Sequence, residues 1–185
     1  EFQELQQKLT YWQALYPFPF MKVIAEQSQK RNVNPLLVTA LIRQESRFDP
    51  EIKSRVGAVG LMQMMPKTGA WAAKSLKIKD YALDNPNDNI KLGTWFLGEI
   101  HRVFDNNSLL AVASYNAGQG NLSRWIQDKE SMDPDEFVEA IPFDETKDYV
   151  KQVFGNYWNY LRIYDPQVAQ ELAKHTSVPS IAMRR

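Results

Sequence analysis

The sequence contains no cysteine and only two histidines, His101 and His175. The missing thiols exclude disulfide frameworks and thiolate metal sites. The two histidines are too few and too far apart in sequence to indicate a zinc site, and neither lies in a motif typical of a Ser-His-Asp triad. The sequence therefore predicts no metal and no cofactor.

A surplus of one charge and a long hydrophobic run are also missing. Lys and Arg together number 22, as do Asp and Glu, so net charge gives no reason to expect nucleic acid or an anionic membrane as partner. No apolar run approaches the roughly 20 residues of a transmembrane helix, and no secretory signal is visible. Because the chain begins at Glu1 without an initiator methionine, we interpret it as an excised or processed piece of a larger protein and expect it to be a monomeric domain.

Helical periodicity is what the chain has in abundance. Its 185 residues, 44% of them hydrophobic, suffice for one domain with a sizeable core, and strand signals are weak. We expect an all-α fold of about eight helices. The clearest expected elements are helices at 1–15, 35–49, 88–104 and 146–164, a short helix at 62–65, and a further one at 168–173.

The spacing of apolar residues makes Glu45 a candidate general acid. It follows Leu41 by four residues and Ile42 by three, so it lies at the edge of an apolar helix face near the C-terminus. Burial and the negative end of the helix dipole would both raise its pKa, as a general acid requires. Spacing alone equally fits a partly exposed glutamate that pairs with Arg43 or Arg47.

Two later segments carry residues suited to a ligand site. Gly57 and Gly60 allow close backbone approach to a ligand, and residues 60–66 add methionines and a glutamine. Residues 114–118 place a tyrosine and an asparagine at a helix end. Each segment also has an ordinary explanation, since methionines fill cores and Asn-Ala-Gly ends helices.

Together, these motifs resemble the soluble lytic transglycosylase family, whose catalytic domain is of the goose-type lysozyme-like kind. The resemblance runs from about residue 17 to 164, and four ordered motifs make it specific. The matching segments are Glu45-Ser46, Gly60-Leu61-Met62-Gln63-Met64-Met65-Pro66, Ser114-Tyr115-Asn116-Ala117-Gly118, and Ile141-Pro142-Phe143 with Glu145-Thr146 and Tyr149-Val150.

The resemblance implies an all-α, lysozyme-like helical domain with a glycan-binding cleft. Residues 17–165 would form the catalytic domain, 1–16 a helix or linker from a preceding region, and 166–185 a C-terminal tail. Glu45 occupies the position of the single catalytic acid and base. The positions at which the family binds substrate correspond to Ser54, Gln63, Met65, Tyr115, Asn116, Glu139 and Tyr160, with Tyr149 or Tyr157 as alternatives to the last.

The same resemblance implies peptidoglycan as substrate and the bacterial cell envelope as location. Glu45 would protonate the oxygen between MurNAc and GlcNAc and then accept the proton of the MurNAc 6-hydroxyl, giving a 1,6-anhydro end without water. A hydrolytic muramidase on the same fold stays open, with Asp49, Glu51 or Glu139 as second carboxylate. Two further hypotheses remain, a peptidoglycan-binding module without activity and a helical scaffold.

Overall fold

The computed structural model describes residues 2–127 and 133–165, and these confirm the expected all-α architecture. The expected tail at 166–185, with its helix at 168–173, lies outside the described residues. Two isolated β-bridges, Lys53 to Val59 and Val59 to Met64, occur between helices. Within the described ranges the helices are α1 Phe2–Leu15, α2 Met21–Arg31, α3 Pro35–Ser46, α4 Pro66–Ser75, α5 Pro86–Val103, α6 Ser108–Ala117, α7 Gln119–Ile126, α8 Pro134–Glu139 and α9 Asp144–Tyr164.

Helix starts follow a repeated cap-and-proline signal. The Asn34 side chain accepts a hydrogen bond from the Leu36 backbone N–H at 2.8 Å, and Pro35 opens α3. The same arrangement opens α5 at Asn85 and α8 at Asp133. The side chain satisfies a free helix N–H, and proline already has helical φ, so both residues favour a start at that position.

Helix α3 ends earlier than proline alone requires. Pro50 permits a helix as far as Asp49, but α3 stops at Ser46. Arg47 and Phe48 follow in the left-handed region, with φ of 52° and 69°. The Arg47 N–H donates to the Arg43 carbonyl at 3.2 Å, which closes the last turn.

The core is built around α3. This helix packs most extensively on α9, while α2 packs on α5 and α6 on both α5 and α9. Leu37, Val38, Leu41 and Ile42 of α3 are at most 1% exposed. Glu45 follows this apolar face directly, so the packing of α3 against α9 fixes where its side chain lies.

The expected helix at 62–65 is wrong, because a buried side chain holds these residues in a loop. Asn89 of α5 accepts from the Met62 backbone N–H at 2.7 Å and donates to the carbonyls of Val59 and Leu83 at 2.9 and 2.6 Å. Backbone groups bound in this way do not need helical partners. Met62 and Met64 are buried in the core from this loop.

Gly60 is required for the same loop. Its φ is +76°, and a Cβ there would overlap the Leu83 carbonyl oxygen and lie 2.5 Å from the Asn89 side-chain nitrogen. The close approach that we expected toward a ligand is therefore made toward α5 and the segment before it. Gly57, with φ +90°, has nothing within 4 Å of such a Cβ.

Helix α1 lies at the margin of the domain. Its described contacts include α9, where the Arg162 guanidinium lies 4.5 Å from the Trp12 ring centroid. Tyr11 is 61% exposed. Across residues 2–127 and 133–165, no helix is both long enough and apolar enough to span a membrane.

Candidate active site

Glu45 lies in the last turn of α3 with its side chain partly buried. Its Oε1 accepts a hydrogen bond from the Tyr149 hydroxyl of α9 at 2.6 Å. Glu45 forms no ion pair with Arg43 or Arg47 in the described part of the chain. Of the two interpretations that spacing allowed, the structure therefore agrees with the buried acid.

Burial raises the pKa of Glu45 from 4.5 to about 7, and the Tyr149 hydrogen bond opposes this rise. The C-terminal end of α3 acts in the same direction as burial, because it carries the negative end of the helix dipole. A pKa near 7 gives comparable populations of acid and carboxylate at neutral pH. The same group can then give up a proton and take one back.

Two tyrosines lie near this carboxyl, Tyr149 buried and Tyr115 partly buried. The Tyr115 hydroxyl donates to the Met62 carbonyl at 2.8 Å, with the Met64 sulfur at 3.5 Å. Burial, together with the nearby charge of Glu45, raises the pKa of both Tyr115 and Tyr149 well above the ordinary value. Both phenols therefore stay protonated across the physiological range and act as hydrogen-bond donors.

Asn116 connects the end of α6 to the start of α9. Its Oδ1 accepts from the Thr146 hydroxyl at 2.7 Å, and Thr146 lies one turn before Tyr149. This bond fixes the orientation of the Asn116 side chain and leaves its NH2 group without a partner among the described residues. Thr146 belongs to one of the motifs named above, but its role could not be predicted from the sequence, because its partner Asn116 is 30 residues away.

Ser54 and Gln63 hold the loop that follows α3. The Ser54 hydroxyl accepts from the Ala58 backbone N–H at 2.9 Å. The Gln63 side chain donates to the carbonyls of Gly60 at 2.9 Å and Ile52 at 3.2 Å. Met65, 41% exposed, ends this loop before α4. The substrate contacts expected of these three residues stay predictions.

Glu139 is exposed and paired with lysines of α9. Its carboxylate accepts from the Lys151 ammonium at 2.7 Å, and Lys147 lies 3.9 Å away. The hydrogen bond to Lys151, followed by the charge of that lysine, holds the pKa of Glu139 below its usual value. Glu139 is thus an anion at neutral pH, and its predicted role in substrate binding stays a prediction.

Tyr160 does not lie with the other predicted site residues. It is 0% exposed, and its hydroxyl donates to the Pro17 carbonyl at 2.7 Å. Eleven residues separate it from Tyr149, about 16 Å along the axis of α9. This burial argues against the substrate contact expected of Tyr160, and Tyr149, one of the two alternatives named for that position, is the tyrosine that donates to Glu45.

A helix-end glutamic acid whose pKa is raised by burial is the kind of group that can serve as a general acid in the cleavage of glycosidic bonds. Residues 22–138 match the family model described as "Transglycosylase SLT domain". This match covers more than half of the chain, and the chain therefore belongs to the transglycosylase SLT domain family.

Curated relatives agree with this membership. The chain is 38% identical over 145 residues to the soluble lytic murein transglycosylase of Salmonella typhimurium, covering 76% of this chain and 22% of that protein. It is 32% identical over 142 residues to the membrane-bound lytic murein transglycosylase D of Escherichia coli K12, covering 74% of this chain and 30% of that protein. The chain thus spans only about a quarter of the length of such relatives.

Solved structures show the same fold. The 70 kDa soluble lytic transglycosylase of Escherichia coli superposes with a TM-score of 0.80 at 33% identity, over 85% of this chain and 26% of that one. The lytic transglycosylase Slt of Pseudomonas aeruginosa, solved as an inactive Glu-to-Gln mutant, gives a TM-score of 0.75 at 32% identity, over 85% and 25%. The expected lysozyme-like helical fold is confirmed by these similarities.

Proposed function

We propose that this chain is a catalytic domain that cleaves the MurNAc–GlcNAc β-1,4 bond of peptidoglycan without water, leaving 1,6-anhydro-MurNAc ends. The observation that carries the proposal is the isolation of Glu45. Burial raises its pKa, the Tyr149 hydrogen bond lowers it, and no charged side chain among the described residues shifts it. Ordinary glycosidases use two carboxylates, whereas this arrangement offers one group for both proton transfers.

The reaction follows from that single group. Protonated Glu45 gives its proton to the glycosidic oxygen as the bond from that oxygen to MurNAc C1 breaks. The carbonyl oxygen of the substrate's own N-acetyl group stabilises C1. The Glu45 carboxylate then takes the proton of the MurNAc 6-hydroxyl, whose oxygen bonds to C1 and restores the N-acetyl group. Glu45 ends protonated, as it began, and no water is consumed.

Tyr149 positions the acid in this scheme. Its hydroxyl holds Oε1, which leaves Oε2 for the proton that moves. As a donor, Tyr149 also stabilises the carboxylate that forms after the first transfer. The hydrogen bond therefore favours the first proton transfer, and it keeps the side chain in one orientation for the second.

Relatives lend independent support. Those that match are named murein transglycosylases, both soluble and membrane-bound, and the Pseudomonas aeruginosa relative is inactive with a glutamine in place of a glutamate. On this basis we place the chain in the bacterial cell envelope, as part of a larger protein whose substrate is peptidoglycan glycan strands.

Product mass decides between this proposal and a hydrolytic muramidase. Digestion of purified peptidoglycan followed by mass spectrometry should give anhydro products. Products heavier by one water would instead show hydrolysis and refute the transglycosylase proposal. Glu45→Gln should abolish both clearing of cell walls and product formation, while full activity in that folded variant would remove Glu45 from the mechanism and favour another acid.

A further inference from the structure

A row of aromatic rings leads from the neighbourhood of Glu45 to the surface of α4. It consists of Tyr115 in α6, Phe96 in α5 and Trp71 in α4. The Phe96 ring centroid lies 5.4 Å from that of Tyr115 and 6.0 Å from that of Trp71. Tyr115 and Phe96 are both partly exposed, so the row reaches the surface along its whole length.

The inner end of the row lies beside the acid. Burial, and after it the charge of Glu45, raises the pKa of the Tyr115 hydroxyl, so this ring is close enough to the acid to interact with its charge. Because consecutive rings of the row are in contact, Trp71 is no further from Tyr115 than the two ring separations laid end to end. A ligand that extends from Glu45 over a few sugar rings along the row therefore reaches Trp71.

The outer end of the row is open to solvent. Trp71 is 46% exposed, although its ring packs edge to face against the buried Trp95 at 4.9 Å. Contacts with Trp95 and Phe96 thus hold the Trp71 side chain in place without covering it. Large apolar side chains that are exposed singly are ordinary on protein surfaces, but Trp71 continues a row of partly exposed rings.

The other exposed tryptophans of the chain do not share this position. Trp12 of α1 lies against the Arg162 guanidinium at 4.5 Å. Trp158 of α9 is 57% exposed, and it follows Tyr149 by nine residues, about 13 Å along the helix axis. Neither has a ring contact with Tyr115 or Phe96 among the described residues. Trp71 is therefore the exposed tryptophan that is connected to the acid.

An exposed indole at the end of an uncharged row suits the face of a sugar ring. The C–H groups on the face of a pyranose are apolar and slightly positive, while the face of an aromatic ring is negative. Trp71, Phe96 and Tyr115 offer no charge of their own, so the row favours a neutral ring over an anion. The hydroxyl groups at the edge of a sugar stacked in this way stay in water.

We infer that Trp71 is a platform for a sugar ring of the glycan strand, several rings away from the bond beside Glu45, and that it makes the domain favour long strands over short ones. This inference rests on the proposed function, which makes a glycan strand the substrate. It adds a residue outside the four motifs quoted from the sequence, the second of which ends at Pro66.

Binding of sugars of two lengths tests the platform. The probes are the alternating GlcNAc–MurNAc hexasaccharide and disaccharide, both without peptide stems, titrated calorimetrically into protein that carries Glu45→Gln so that nothing is cleaved. Adding Trp71→Leu, which keeps an apolar side chain against Trp95, should weaken binding of the hexasaccharide about tenfold, or about 1.4 kcal/mol, and leave the disaccharide unaffected. Trp71→Tyr should recover most of this loss, because it restores an aromatic face.

Trp158→Leu is the matched control, since it removes an exposed tryptophan far from the row and should change neither affinity. Hexasaccharide binding that Trp71→Leu leaves intact would overturn the platform. An equal loss of affinity for both sugars would overturn it as well, because it would show a general disturbance of the site rather than the loss of one distal contact.

NMR separates failure of the platform from failure of the proposed function. Both sugars should shift the side-chain amide signal of Asn116, whereas the hexasaccharide should also shift the indole N–H signal of Trp71. These shifts do not depend on which product is formed, so they hold for a hydrolytic enzyme too. If Asn116 responds to both sugars and Trp71 to neither, the platform alone is refuted. If neither residue responds to either sugar, the glycan substrate and the proposed function are refuted with it.

Discussion

Replacing Glu45 with glutamine should make the domain more stable at high pH than the parent. The folded protein holds the Glu45 proton with a pKa of about 7, against 4.5 for the free side chain. Between these values the folded state binds more protons than the unfolded one, so the free energy of unfolding of the parent falls as pH rises. That stability is fully present below pH 4.5 and lost as pH passes through about 7.

The size of the effect follows from the same two values. At about 1.4 kcal/mol per pKa unit, the parent loses about 3 kcal/mol relative to the variant between pH 4 and pH 8. Glutamine keeps an oxygen for the Tyr149 hydroxyl, so the variant preserves the hydrogen bond of the carboxyl. For a domain of this length, the melting temperatures should diverge by about 6–12 °C across that range.

Urea unfolding at pH 4, 5, 6, 7 and 8 measures this directly. Glu51→Gln serves as the control, because Glu51 is exposed and the substitution removes the same carboxyl group from the surface. Subtracting the control curve isolates the contribution of the Glu45 carboxyl. A difference between Glu45→Gln and parent that stays flat from pH 4 to pH 8 would refute the raised pKa, and with it the use of Glu45 as an acid near neutral pH.

Three further substitutions test other contacts. Tyr149→Phe removes the bond that lowers the pKa of Glu45, so the alkaline limb of kcat/KM against pH should move to higher pH while kcat falls about tenfold; an unchanged profile would contradict this. Asn89→Ala leaves the Met62 N–H and two carbonyls unpaired and should cost about 3 kcal/mol or more in urea unfolding, where a cost below 1 kcal/mol would argue against the bonds. Tyr160→Phe loses only its bond to the Pro17 carbonyl; it should cost about 1 kcal/mol and leave cleavage rates unchanged, and a large rise in KM would restore Tyr160 to the substrate site.

The sequence was most informative where local chemistry decides the structure. Asn34-Pro35 and Asp133-Pro134 each predict the start of a helix from two adjacent residues. The spacing of the apolar residues before Glu45 likewise predicts that its carboxyl lies at the edge of a buried face. Such signals depend only on neighbours within one or two helical turns, so the folded protein shows the local structure that they predict.

Contacts between residues far apart in the sequence determine the features that could not be predicted from the sequence. The sequence predicts a helix at residues 62–65. The structure shows a loop there, because Asn89, 27 positions after Met62, accepts a hydrogen bond from the Met62 backbone N–H. The choice between Tyr149 and Tyr160 depends on which turn of α9 lies against the end of α3, which spacing along α9 cannot tell. In the same way, spacing allowed Arg43 or Arg47 to pair with Glu45, but the structure places the Arg43 guanidinium over the Tyr16 ring and shows no ion pair of Glu45 among the described residues.

Met62 joins two helices through a single residue. Its N–H is held by Asn89 of α5 and its carbonyl by Tyr115 of α6, at 2.7 and 2.8 Å. Within the segment from Val59 to Met65, both the N–H and the carbonyl of Met62 are therefore hydrogen-bonded to helices, which fixes the conformation of the segment in the absence of a ligand. Under the proposed function, a glycan that contacts this segment would not have to order a loop, so more of its contact free energy would be left for binding and for distorting the sugar.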